Sequence, residues 1–95
     1  MLTFEDCLAF CNLSEAEVAA IAEHEHIPEI MAIEYGDYLI RSPDGEQHIR
    51  RIIIDDIEHS KAKGNLRHVE ELESVLKHFV LTHPKLQILI KQRVA

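Results

Sequence analysis

The sequence predicts an all-α domain, a compact bundle of four to five helices, and three observations predict it. Helix-starting and helix-ending residues recur at short intervals, the apolar residues between them repeat in steps of three and four, and no stretch alternates long enough to make a strand. With 95 residues, 46% apolar and 28% charged, residues 1–95 suit a single helical domain near the lower size at which a chain buries its own core.

Each element has its own signals. Thr3 and Asp6 have capping-box spacing and open a short first helix that runs to about Cys11. Ser14 and Glu17 repeat the pattern, with Leu13 and Val18 placed to close a hydrophobic staple, so a second helix starts at Glu15 and runs to about His26. Pro28 has no N–H and restricts Ile27, so it either kinks this helix or enters the first turn of a third, which reaches about Arg41. Ser42-Pro43-Asp44-Gly45 is turn chemistry, and Asp44 with Gln47 is placed to cap a fourth helix from about Glu46 to Lys63. Gly64 stands where a left-handed C-terminal residue belongs, and Asn65 caps a fifth helix from about Leu66 to Thr82.

The core is aliphatic, because the chain has only five aromatic residues (Phe4, Phe10, Tyr35, Tyr38, Phe79) and no Trp. Val69, Leu72, Leu76 and Phe79 form a seam that packs against another helix. Beyond Pro84, Leu86, Leu89 and Ile90 make the tail too apolar for a solvated end, and it docks on its own core or on another subunit. These seven residues are the expected interface of a homodimer or a client complex. Cys7 and Cys11 are one helical turn apart, too close along a helix for an unstrained disulfide, and read as reduced core residues.

Charge narrows the function classes. The net charge is −7, and residues 1–40 hold nine acids and no Lys or Arg, whereas residues 41–95 hold eight acids and ten bases. The acidic half repels phosphate backbones and anionic lipid and favours the chain's own basic half, a basic partner or a cation, so neither nucleic acid nor membrane is expected. The third helix, in the place of a DNA-reading helix, offers Glu29, Glu34 and Asp37 before its first base. No signal peptide or membrane span is evident, so the expected compartment is the cytoplasm. There is no phosphate loop, zinc-finger spacing or nucleophile elbow, and catalysis is not expected.

Turning each helix at about 100° per residue places three acids inside apolar arcs. Asp56 falls between Ile49, Ile52 and Ile53, with His59 at one margin. Glu34 falls with Ile27, Ile30, Met31 and Tyr38, and Glu25 continues the line of Val18, Ile21 and Ala22 with His26 beside it. Glu73 stands at the edge of the fifth-helix seam. An inward carboxylate needs a partner or a cation, because burying it unpaired costs several kcal/mol. Structural pairing with Arg or His satisfies that need, and so does a metal.

Asp56-Ile57-Glu58-His59 and Glu23-His24-Glu25-His26 resemble the Glu-x-x-His elements with which ferritin-like bundles hold two metal ions. Together with the inward acids, a metal-binding bundle of this kind would take Glu34, Asp56 and His59 as ligands, helped by Glu25, His26 or Glu73, for iron, manganese or zinc. The leading expectation is instead a helical interaction or regulatory protein that self-associates or binds a client, with no cofactor.

Overall fold

A computed structural model of the chain describes residues 3–9 and 13–83, and among these it is an all-α bundle of five helices. They are α1 (Phe4–Ala9), α2 (Glu15–Glu25), α3 (Glu29–Arg41), α4 (Gly45–Ala62) and α5 (Leu66–Thr82). Cys11, Leu86, Leu89 and Ile90, for which roles are expected above, lie outside the described residues.

The caps of α1, α2 and α5 follow from local chemistry, whereas α3, entered at Pro28, and α4 have no side-chain cap. The Asp6 amide donates to Thr3 Oγ1 and the Thr3 amide to Asp6 Oδ2 at the start of α1. At α2, the Glu17 amide donates to Ser14 Oγ and the Ser14 amide to Glu17 Oε1, closing the expected box. Asn65 Oδ1 accepts from the His68 amide at α5, and Gly64 adopts φ 74°. Asp44 occupies the N-cap of α4 but makes no side-chain cap, contrary to expectation. The helix begins one residue earlier than expected, at Gly45, and a Cβ on that glycine would stand 1.2 Å from the Leu39 carbonyl oxygen. Here Gly45 serves close packing of the α3–α4 corner, not only turn freedom.

α4 and α5 pack most extensively on each other, α3 lies on α1, α2 and α4, and α2 also touches α5. The core is aliphatic around one aromatic ring: Val18, Ile21, Ile49, Ile52, Ile53, Val69, Leu72 and Phe79 are all buried. Val69, Leu72 and Phe79 are therefore enclosed within the chain, and Leu76 packs partly buried beside them. The fifth-helix seam is occupied by the protein's own core and does not stand open as an interface. Cys7 is a half-buried free thiol packed on this core.

Glu17 does more than cap. Its side chain is enclosed at 1% exposure, and its second oxygen, Oε2, accepts from His78 Nδ1 at 2.8 Å near the far end of α5. A buried carboxylate is tolerated where its lone pairs are satisfied, and each oxygen of Glu17 has a donor.

Candidate docking face and its polar cleft

α3 is buried on a different face from the one its sequence suggests. Ala32, Ile33, Gly36 and Leu39 face the core, while Ile30, Met31 and Tyr38 are 44%, 52% and 67% exposed. The reason is steric. A Cβ on Gly36 would meet Leu13 Cδ1 at 2.5 Å and Ile21 Cδ1 at 3.2 Å, so α3 approaches through small residues whose contribution to an apolar arc is slight. Of the residues that set the expected arc, Ile30, Met31 and Tyr38 point outward, and Ile27 packs partly buried against the core.

Glu34 goes with them. It is exposed and has no ion pair among the described residues, which corrects its expected inward orientation. Glu29 is exposed in the first turn of α3, and Asp37 pairs with Arg41 one turn on at 3.3 Å. The outward face thus carries exposed apolar residues with Glu34 among them and Glu29 and Asp37 beside them. A shallow, mainly apolar groove of about 450 Å³ runs beside it, lined by Glu25, Ile27, Met31, Glu34 and Tyr35.

A second, more polar cleft of about 590 Å³ opens between the C-terminal end of α2 and α4 and shares Ile27 with the groove. Glu23, His24, His26, Asp55, Asp56, His59 and Lys63 line it. Asp56 projects from the buried face of α4, as its position among Ile49, Ile52 and Ile53 predicts, and is only 6% exposed. Its Oδ2 is buried with no hydrogen-bond partner. Burial, reinforced by the negative charge of Glu23, pushes its pKa up to about 6.

The neighbouring groups are already committed. His24 Nδ1 contacts Glu25 Oε2, and its Nε2 lies 3.4 Å from Asp55 Oδ2. Burial pulls the His24 pKa down, but the hydrogen bond to Glu25 and the charges of Asp56 and Glu25 outweigh it and leave it raised. His68, on α5, has its pKa raised chiefly by Glu23, whose carboxylate accepts from Nε2 at 2.8 Å, while Nδ1 lies 3.3 Å from Glu71. Lys63 is the one Lys or Arg lining the cleft among the described residues, and no ion pair to it is found among them.

Of the six residues considered as metal ligands, Asp56, His59 and His26 border the cleft, but His59 and His26 are exposed. His26 is turned by its left-handed backbone, φ 56°, at the end of α2. Glu25 is taken up by His24, Glu34 belongs to the α3 groove, and Glu73 is exposed on α5, not set into its seam. Among the described residues, no three His, Cys, Asp or Glu side chains converge in a way that could hold a metal ion.

Two features are not anticipated by the sequence, the outward face of α3 and the burial of Glu17. The acids Glu29, Glu34 and Asp37 around Gly36 were the available signal for the first, since three carboxylates on one helix suit solvent better than core. No family model, curated protein or solved structure matches the chain. Among the described residues, no helix is long and apolar enough to cross a membrane.

Proposed function

We propose that this protein is a non-catalytic helical interaction module that self-associates by laying the basic, apolar segment 85–95 of one copy along the outward face of α3 in another. The observation that carries this reading is the exposure of Ile30, Met31 and Tyr38 between Glu29, Glu34 and Asp37. Exposed apolar residues beside the carboxylates of Glu29 and Glu34 select a partner that is apolar and basic.

The chain supplies such a partner. Residues 85–95 contain Lys85, Lys91 and Arg93, no acid, and the apolar residues Leu86, Ile88, Leu89, Ile90 and Val94. The fifth-helix seam is buried, whereas Ile30, Met31 and Tyr38 on α3 are exposed. Apolar burial supplies the affinity, and the flanking charges set orientation and encounter rate.

A charge swap tests the reading. Full-length protein should run as a dimer by size-exclusion chromatography with light scattering, and Glu29→Lys with Glu34→Lys should return it to monomer. Lys91→Glu with Arg93→Glu should do the same. Combining all four changes should restore the dimer. A wild-type chain that stays monomeric at millimolar concentration, or a four-fold variant that is not rescued, overturns the proposal.

A further inference from the structure

We infer that the cleft floored by Asp56 receives the ammonium or guanidinium group of a basic side chain from the segment docked on α3. This inference rests on the docking reading above and adds an anchor to it. Three observations carry it. The cleft and the α3 groove meet at Ile27, so a segment lying along α3 passes the mouth of the cleft. Asp56, only 6% exposed, has an oxygen with no hydrogen-bond donor. Finally, the cleft gathers Glu23, Asp55 and Asp56 against a single Lys, Lys63.

The chemistry of the walls selects the ligand. A metal ion needs three or more donors at about 2–2.5 Å, and no such group of three exists among the described residues. An organic cation needs one carboxylate at hydrogen-bonding range and accepts others several ångströms away, which fits one enclosed Asp with Glu23 and Asp55 around it. The histidines do not fill the role. His24 is held by Glu25 and Asp55, and His68 by Glu23 and Glu71. His26 and His59 are at the exposed border. A long side chain entering from the Ile27 side would bury its methylenes against Ala22 and Ile27 and bring its charge to Asp56.

The test measures the dimer dissociation constant of the full chain by sedimentation at pH 8, where Asp56 is ionised. Asp56→Asn should weaken association at least about tenfold, as expected when one member of a desolvated charge pair is removed. Asp44→Asn makes the same change in net charge in the exposed turn before α4 and should stay within about twofold. Single Lys85→Gln, Lys91→Gln and Arg93→Gln variants, each combined with Asp56→Asn, identify the entering side chain: the one whose loss adds nothing once Asp56→Asn is present is the anchor. Wild-type affinity in the Asp56→Asn variant overturns the inference. If Glu29→Lys with Glu34→Lys still abolishes the dimer in that case, the docking reading survives alone. If neither change affects association, both fall.

A second readout is independent of variant folding. In the wild-type chain labelled with ¹³C, the Asp56 carboxyl should titrate at a lower pH in the dimer than in the dilute monomer. An unmoved midpoint in a confirmed dimer also overturns the inference.

Discussion

Asp56 and Glu17 are both enclosed carboxylates in a small aliphatic core, yet their surroundings differ. Glu17 has donors on both oxygens, from Ser14 and His78, whereas Asp56 Oδ2 has none. Removing the side-chain acceptor of the Glu17 amide should destabilise through the cap: Ser14→Ala, which deletes Ser14 Oγ and leaves the Ser14 amide on Glu17 Oε1, is expected to cost about 1 kcal/mol, read from urea unfolding. Asp56→Leu should act in the opposite direction, stabilising the chain by about 1–3 kcal/mol at pH 8, because an apolar side chain of similar volume needs no donor. The same urea midpoints give the pH dependence. Asp56 holds its proton up to about pH 6 when folded, against an ordinary value of 3.8, so the folded state binds more protons between these limits and stability falls as pH rises through that window. The raised values of His24 and His68 have the same sign, since their contribution is complete below 6.5 and is lost as pH rises through the folded values. Unfolding midpoints should accordingly be higher at pH 5.5 than at pH 8, and Asp56→Leu should narrow the difference. Equal midpoints in the wild-type chain would contradict the assignment.

Helix starts were legible where they rest on a few adjacent residues, as at Ser14-x-x-Glu17 and Asn65, because a cap is settled by local hydrogen bonds. Helix faces were legible in α4, where the buried Ile49, Ile52, Ile53 and Ile57 outweigh everything else, and illegible in α3. There the deciding contacts are made by Gly36 and Ala32, whose value is their lack of bulk, and only the positions of Leu13 and Ile21 in space reveal it. The three glycines give a graded prediction at this scale. Gly64→Ala meets open space and costs about 1 kcal/mol for its left-handed backbone. Gly36→Ala must displace flexible side-chain ends of Leu13 and Ile21 and should cost about 1–3 kcal/mol despite the better helix propensity of Ala. Gly45→Ala collides with the Leu39 backbone and should be the most damaging of the three, a ranking that thermal melts monitored by circular dichroism can check.

For the whole molecule, the division of charge between an acidic first forty residues and a basic remainder was evident in the sequence, and the outward face of α3 was not. The expected interface residues Val69, Leu72 and Phe79 lie inside the core, because a short bundle needs its most regular seam to hold α5 to α4. Under the proposed docking, self-association falls to α3, and its dependence on salt follows from the charges on that face. Raising the ionic strength from about 0.05 M to 0.5 M should weaken the dimer without dissolving it, since screening reduces the charge attraction and leaves apolar burial intact. A dimer insensitive to salt would point to a purely apolar contact.

One carboxylate joins the beginning of α2 to the end of α5. Because Glu17 caps its own helix through Oε1 and holds His78 through Oε2, the first turn of α2 and the last turns of α5 share a latch 61 residues apart in sequence. Their backbone amides should open to solvent together. Under native conditions, hydrogen exchange at the first turn of α2 and at the end of α5 should report one common opening free energy, and His78→Ala should lower it at both places, including the one on the other helix.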